Sequence, residues 1–332
     1  MRYARRLFAI GSLAGAGAAS VPGALKAQFE RLDPRFDALV PSDAVVEVLA
    51  DGIEWAEGPV WDPNDEALLL SDVPRNIVFR WKEGEGLSEY LEPSGYTGEV
   101  PFTGREPGSN GLIFDGQGRL LLCQHGDRRV VRREADGSFT VIADRYEDKR
   151  FNSPNDLTFG PNGDLYFTDP PYGLPGTFES SEKELDFQGV YRVSADGTVS
   201  LVTAELSAPN GIGFSPDGST LYIADSRDAL WMAYPVLADG SIGEGRRFAE
   251  ATGDDPGAPD GLEVDVNGNL FATGPGGVHV FAPDGTRLGR IVTGVPTGNV
   301  AWGDDGSVLY IAANDRLLRV RTTTRGFPGF QR

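Results

Sequence analysis

Apolar and polar positions follow one repeating pattern along the chain. Each copy begins with an amide or carboxylate residue and a short apolar run, passes through a turn rich in Asp, Asn and Gly, and returns in a second apolar run. In one copy, Leu112–Phe114 and Leu120–Leu122 flank a turn that contains Asp115 and Gly118. Such turns between apolar runs indicate β-hairpins, because glycine supplies the positive φ that tight turns need. Each copy is therefore predicted to begin with a hairpin.

Six copies follow one another at intervals of about 40 to 55 residues, the spacing of propeller blades with about four strands each. Several copies continue into a third predicted strand followed by a second turn. In the third copy the strand is Gly189–Val193 and the turn contains Asp196-Gly197. A sandwich or barrel would also show many short strands, but it would not repeat a lead residue at this period. The sequence thus predicts an all-β protein, a six-bladed β-propeller. The lead residues are Glu57, Asn110, Asn155, Asn210, Asp260 and Asn299.

The length of 332 residues allows two domains, but the repeat continues without a linker. We therefore predict one propeller over residues 28–332. The apolar run Val45–Leu49 precedes the first copy and has no hairpin partner of its own. We expect it to become the outer strand of the last blade, where it closes the ring and leaves no sheet edge open.

The first 27 residues read as an export signal of the twin-arginine or general secretory type. Arg5-Arg6 precedes an apolar, small-residue stretch from Leu7 to about Ala19, and Leu25-Lys26-Ala27 offers a cleavage site. A membrane anchor is the weaker alternative, because the stretch is short and rich in Gly and Ala. The mature protein is therefore expected in the periplasm or outside the cell.

The negative net charge limits the classes of partner that the protein can bind. Removal of the signal takes away four positive charges and no negative ones, which moves the formal net charge from −19 to about −23. Such a surface repels nucleic acid and anionic membranes. We expect a monomer or weak oligomer with neither of these partners. The single cysteine, Cys123, lies in an apolar run and is interpreted as a buried small residue.

The lead residues supply candidate chemistry. Taken singly, some lead pairs fit ordinary turns, as Asn110-Gly111, Asn210-Gly211 and Asp260-Gly261 do. Glu57 and Asn155 do not fit that shared turn. The first strand of each propeller blade lines the central channel, so equivalent starts place the lead side chains on a ring. Two carboxylates and four amides offer only oxygen ligands, which suit Ca²⁺ better than Zn²⁺ or copper and leave Mg²⁺ possible. A central metal site is predicted.

The sequence lacks the motifs of serine hydrolases and zinc proteases. The chain has two histidines, and neither lies in a Gly-x-Ser-x-Gly elbow or a His-Glu-x-x-His pair. His279 alternates within an apolar strand and is interpreted as structural. His125 follows an apolar run at the end of a predicted strand near the channel, so it is a candidate substrate contact.

Several motifs resemble the gluconolactonase, luciferin-regenerating enzyme and regucalcin family. They are Glu57–Trp61, Asn155–Leu157, Pro209–Gly211 and Pro259–Gly261, and the likeness covers nearly the whole mature chain. Further stretches are similar to the bacterial gluconolactonase branch: Pro93–Gly98, Glu106–Gly111 and Phe151–Asp156.

The resemblance implies a divalent ion in the channel and hydrolysis of a sugar lactone, such as gluconolactone, to its aldonic acid. By position, Glu57, Asn210 and Asp260 match metal ligands, and Asn155 matches a residue that joins them or holds substrate. Asp260 also matches the carboxylate assigned as general base. Together with Asn155, the candidate substrate contacts are Asn110 and His125. Ca²⁺ is the expected ion, with Mg²⁺, Mn²⁺ or Zn²⁺ as alternatives. An arginine that contacts substrate in animal members corresponds here to Ser153.

Two other functions fit the same pattern. One is a phosphotriesterase resembling diisopropyl fluorophosphatase, and the other is a non-enzymatic calcium-binding or scaffolding propeller. The long loops Glu83–Ser109 and Pro170–Phe187 carry aromatic residues suited to roofing a small-molecule pocket, or equally to a protein interface.

Overall fold

A computed structural model describes residues 24–25 and 29–330, which form six antiparallel blades around a central channel. The all-β, six-bladed prediction is confirmed. Two short 3₁₀ helices, Pro34–Ala38 and Thr177–Glu179, accompany the strands. In the part of the chain that the structure describes, no helix is long and apolar enough to cross a membrane.

Each blade is built outward from its innermost strand. Blade 1 comprises Ala56–Asp62, Ala67–Asp72, Ile77–Lys82 and Gly86–Leu91; blade 2 comprises Ser109–Phe114, Leu120–Gln124, Arg129–Arg133 and Phe139–Ala143; blade 3 comprises Leu157–Phe159, Leu165–Asp169, Gly189–Val193 and Val199–Thr203. Blade 4 comprises Pro209–Phe214, Thr220–Asp225, Leu230–Pro235 and Arg246–Glu250; blade 5 comprises Leu262–Val264, Leu270–Gly274, Gly277–Phe281 and Arg287–Val292; blade 6 begins with Asn299–Gly303, Val308–Ala313 and Arg316–Arg321. A two-stranded ribbon, Arg145–Tyr146 with Lys149–Arg150, leads from blade 2 to blade 3.

The N-terminal segment supplies the remaining strands. Val46–Asp51 pairs antiparallel with Arg316–Arg321 as the fourth strand of blade 6, and Ala24–Leu25 pairs with its outer edge. Phe29–Arg31 adds a fifth strand to blade 5. Sequentially distant ends of the chain are thus joined in one sheet, which closes the ring. Apart from Ala24–Leu25, the predicted signal lies outside the described residues.

The hairpin turns show why the repeated Asp and Gly are needed. In blade 2, the Asp115 carboxylate accepts hydrogen bonds from the backbone N–H groups of Gln117 and Arg119, at 3.0 and 2.9 Å. Gly118 takes a φ of 74°, a left-handed conformation that costs glycine little, and donates to the Asp115 carbonyl. The turn therefore satisfies its own polar groups and sets the hairpin register.

The hydrophobic core lies between neighbouring blades. Phe271 of blade 5 packs edge-on against Trp302 of blade 6, with ring centroids 4.9 Å apart. Trp231 of blade 4 is fully buried against Phe281 of blade 5. Cys123 is buried in the cluster shared by blades 2 and 3. Apolar side chains thus fill the spaces between the blades. The innermost strands line the channel at the centre of the ring.

His279 is part of this core. It lies in the third strand of blade 5, its Nε2 is 2.9 Å from the Pro275 carbonyl, and its ring lies 5.5 Å from that of Trp231. Burial, and then the charge of Arg287, lowers the pKa of His279 to about 4. The folded protein therefore holds this imidazole neutral.

We expect His279 to make the protein sensitive to acid. An unfolded histidine titrates near pH 6.5, so as the pH falls from about 6.5 to 4 the proton binds the unfolded chain preferentially and stability is lost. The loss is about 3 kcal/mol at roughly 1.4 kcal/mol per pH unit. His279→Gln cannot titrate, so its free energy of unfolding should fall less over this range. Urea denaturation in chelator from pH 4 to 7.5 measures both slopes, and equal slopes would contradict the assignment.

Candidate metal centre

Four lead residues converge at one mouth of the channel. The Asn155 Nδ2 of blade 3 donates to the Asn210 Oδ1 of blade 4 at 3.2 Å. Asp260 lies close enough to the Asn210 amide for that amide to lower the pKa of its carboxylate, and close enough to Glu57 for the two charges to repel. Glu57 and Asn155 are each only 2% exposed. The predicted ligands therefore lie side by side, although they come from four different blades.

The two other lead residues differ from this group. Asn110 is buried, and its Oδ1 has no hydrogen-bond partner among the described residues. Asn299 accepts a hydrogen bond from the backbone N–H of Val300 at 2.8 Å, and its side chain lies close enough to Asp156 to lower the pKa of that carboxyl against the larger effect of burial. Asn110 thus has a free oxygen for a ligand, whereas Asn299 is engaged by its own strand and by a neighbouring carboxylate.

The interpretation of the lead pairs as plain turns is wrong for Asn110-Gly111 and Asn210-Gly211. Both pairs lie inside strands, Ser109–Phe114 and Pro209–Phe214. The glycines serve the contact between blades, since a Cβ at Gly211 would lie 2.3 Å from the Asp260 carbonyl oxygen. A glycine after the lead residue therefore allows adjacent blades to meet at the channel mouth.

The surroundings of the channel mouth disfavour the charged forms of Glu57 and Asp260. Burial, followed by the charge of Asp156, raises the pKa of Glu57 to about 8, although the Trp55 Nε1–H donates to its Oε1 at 3.1 Å. Burial, and next the charge of Glu57, raises the pKa of Asp260 well above its ordinary value. The charged neighbours that act on either group are acidic. A proton or a bound cation is needed to relieve this repulsion.

A divalent ion fits the donor set. Glu57 and Asp260 together carry a charge of −2, while Asn155 and Asn210 can add oxygen ligands without adding charge. Oxygen donors of this kind are typical of Ca²⁺ or Mg²⁺ sites, rather than of zinc or copper sites. Within residues 29–330, no three His, Cys, Asp or Glu side chains are grouped so as to hold a metal, so the amide oxygens are needed to complete the donor set.

Residues of both long loops lie at this mouth, namely Glu106 and Tyr172. The first loop is shorter than the predicted Glu83–Ser109, because Gly86–Leu91 forms the fourth strand of blade 1. Ser153 donates to the Pro170 carbonyl at 2.5 Å and accepts from the Gly173 N–H at 2.9 Å. The residue in the position of the substrate-binding arginine is thus buried and anchors a loop. Tyr172 of that loop lies near the Ser226 hydroxyl and Asp260. Burial raises the pKa of its phenol; the Ser226 hydroxyl lowers that pKa, and the charge of Asp260 raises it further.

The family model "SMP-30/Gluconolactonase/LRE-like region" matches residues 55–315. The chain belongs to this family. It is 41% identical to the gluconolactonase of Zymomonas mobilis over 92% of this chain and 88% of that protein. It is 29% identical to the pentonolactonase XacC of Haloferax volcanii, over 80% and 84% of the two chains. A solved structure of a gluconolactonase from Xanthomonas campestris superposes with a TM-score of 0.80 at 32% identity, covering 92% of this chain and 98% of that one.

In this SMP-30/gluconolactonase/LRE-like protein, Ser226 positions a candidate ligand although the repeat pattern did not predict it. Ser226 accepts from Asn210 Nδ2 at 3.0 Å and donates to the Pro259 carbonyl at 2.6 Å. The bond from Asn210 to Ser226 fixes the orientation of the amide, with its oxygen on the side of Asn155. Ser226 directly follows the second strand of blade 4, at the same sheet edge as Asn210, and this register is the signal that could have identified it.

A cavity of about 710 Å³ continues the channel away from the candidate ligands. It is lined by the innermost strands and by the C-terminal segment, and it holds Asp156 and Glu263. Burial is the main cause that raises the pKa of Asp156 to about 7 and that of Glu263 to about 8. The acidic character of the channel therefore extends beyond the mouth.

We expect the absence of a side chain at Gly298 to be essential for the centre. A Cβ there would lie 2.5 Å from Glu57 Oε1, so Gly298→Ala should displace the carboxylate and weaken Ca²⁺ binding about 10- to 100-fold. Isothermal titration calorimetry on chelator-stripped protein measures the affinity. Gly213→Ala is the matched control, because its Cβ would meet only the flexible end of Leu262. Equal affinities in the two folded variants would contradict the assigned position of Glu57.

Proposed function

We propose that this protein is a metal-dependent hydrolase that opens sugar lactones to aldonic acids, with gluconolactone-like aldonolactones as its substrates. The observation that carries the proposal is the convergence of Glu57, Asn155, Asn210 and Asp260 beneath the two loops. The 41% identity to a gluconolactonase over most of both chains supports this substrate class. The pentonolactonase relative supports hydrolysis of a sugar lactone more broadly.

Glu57, Asn155, Asn210 and Asp260 would hold the divalent ion, with Ca²⁺ preferred and Mg²⁺, Mn²⁺ or Zn²⁺ as alternatives. When bound, such an ion polarises a carbonyl oxygen and stabilises the negative charge that develops there during attack by water. Trp55 fixes Glu57 through its indole N–H, and Ser226 fixes the amide of Asn210. These bonds hold the donors in place before substrate binds.

Asp260 is the general base of the proposed reaction. Its carboxylate lies beside Glu57 at the channel mouth, where it would take a proton from the water that attacks the bound lactone. The water oxygen bonds to the lactone carbonyl carbon, the ring carbon–oxygen bond breaks, and the departing ring oxygen takes up a proton as a hydroxyl group. We also assign Asn110 as a substrate contact, a role supported by its buried Oδ1, which has no hydrogen-bond partner among the described residues.

We also propose that the protein acts after export, in the periplasm or outside the cell, as a monomer or weak oligomer. The paired arginines ahead of a small-residue apolar stretch support export. The acidic net charge supports a soluble small-molecule enzyme without a nucleic-acid partner.

Two substitutions test the reaction. Asp260→Asn removes the base and should lower kcat/KM for gluconolactone by about 10² to 10⁴, whereas Glu57→Gln should lower activity together with Ca²⁺ affinity. Activity is measured by acid release after chelation and reloading with Ca²⁺, Mg²⁺, Mn²⁺ or Zn²⁺. Glu54→Gln and Asp284→Asn are matched controls, because their side chains are 61% and 64% exposed.

The same panel separates the alternative functions. Xylonolactone and galactonolactone test the breadth of the lactone class, and diisopropyl fluorophosphate tests a phosphotriesterase. Turnover of the fluorophosphate without turnover of any lactone would replace the proposed function. Bound Ca²⁺ without turnover of either would favour a non-enzymatic propeller. Full lactone turnover by Asp260→Asn and Glu57→Gln would contradict the assigned roles.

A further inference from the structure

Glu106 and His125 meet at the edge of blade 2 that faces the channel mouth. Glu106 lies in the loop between blades 1 and 2, and His125 directly follows the second strand of blade 2. The His125 Nδ1 is 3.2 Å from Glu106 Oε2. The histidine side chain is fully buried, whereas the glutamate side chain is 30% exposed. An accessible carboxylate is thus backed by a buried imidazole.

The imidazole of His125 lacks hydrogen bonds. Neither of its ring nitrogens has a hydrogen-bond partner of good geometry among the described residues. A buried polar group without a partner costs about 1 to 3 kcal/mol, so such groups call for a reason. The ring is enclosed, because the side chain is fully buried and its Cβ and Cγ lie against Gly173 of the second loop. The histidine cannot relieve its state by turning into open solvent.

Glu106 is also held in place. The adjacent Pro107 carbonyl accepts from the Gly126 N–H at 3.2 Å, and the Gly108 N–H donates to the Val73 carbonyl at 2.9 Å. These bonds attach the end of the loop to blades 1 and 2. A side chain on such a supported segment keeps a defined position, as substrate recognition requires.

The carboxylate of Glu106 lies close to the candidate centre. Its charge contributes to the raised pKa values of Glu57, Asp260 and Tyr172, after the effect of burial on each. Glu106 is not a lead residue and does not belong to the four converging side chains. Its partner His125 lies beside the segment that leads to Asn155, because a Cβ at Gly173 would lie 2.7 Å from the Cβ of His125 and 2.9 Å from that of Ser153.

We propose that Glu106 and His125 form a carboxylate–imidazole pair that binds a hydroxyl group of the lactone and so selects the sugar. This inference rests on the proposed function and assigns a positioning role distinct from metal binding and from the general base. A sugar hydroxyl can donate to the exposed part of the Glu106 carboxylate, while the buried His125 imidazole lies behind that carboxylate at 3.2 Å and fixes its orientation. Hydrogen bonds to charged groups contribute about 1.5 to 3 kcal/mol, which corresponds to roughly 10- to 150-fold in selectivity.

The test pairs enzyme variants with substrates that lack one hydroxyl. Wild type, Glu106→Ala, Glu106→Gln and His125→Asn are each assayed on gluconolactone and on its monodeoxy analogues. For wild type, one deoxy analogue should have a kcat/KM about 10- to 100-fold below that of gluconolactone. In Glu106→Ala this ratio should shrink to about 3-fold or less, because the partner of that hydroxyl is gone. The isosteric Glu106→Gln and the smaller His125→Asn should each lower the ratio partially.

Glu99→Ala is the control, since Glu99 is an exposed glutamate of the same loop and should retain the wild-type ratio. A ratio that stays at the wild-type value in Glu106→Ala overturns the proposal. So does an equal loss on every lactone, which would indicate a merely structural effect, and so does a wild type that does not distinguish any deoxy analogue. A wild-type protein that opens no lactone contradicts the proposed function itself, which distinguishes that failure from a failure of the pair.

Discussion

The arrangement of the channel mouth depends on the repulsion between two buried carboxylates. Glu57 and Asp260 approach each other where burial already opposes their charge, and Asp156 and Glu106 add further negative charge. In such an environment a carboxylate either takes a proton or binds a cation. The core packing between the blades supplies the stability that holds the groups together. In the folded protein these carboxylates therefore have a higher affinity for a proton or a cation than they would have in an unfolded chain.

This convergence requires the blades to approach closely at their innermost strands. The Gly111 N–H donates to the Asn155 carbonyl at 2.7 Å, and the Gly261 N–H donates to the Gly298 carbonyl at 2.8 Å. These bonds link the backbones of neighbouring blades beside the lead residues. A Cβ at Gly58 would lie only 2.0 Å from the Asn110 carbonyl oxygen. The glycines that follow lead residues thus determine the diameter of the mouth, and with it the distance between the ligands.

The repeat predicted the blades and their order because hairpin turns and alternating apolar runs are local signals. It also indicated which residues begin the innermost strands. It could not separate Asn299 from the other lead residues, because its engagement by Asp156 depends on a contact between distant blades. Trp55, Ser226 and Gly298 were missed for the same reason: each acts on a ligand through a bond or a close approach that appears only when the ring is closed.

Strands and loops contribute differently to the site. The candidate ligands lie at the starts of strands or beside them, where backbone pairing with the next blade keeps their positions. Glu106 and Tyr172 lie on loops that extend over the mouth, and Ser153 ties the second of these loops to the segment that leads into Asn155. Loops can change in sequence without moving the strands beneath them. A protein built in this way can keep one hydrolytic centre while its loops adapt to different sugars, because the groups for the reaction and the groups for selectivity are supported by separate parts of the fold.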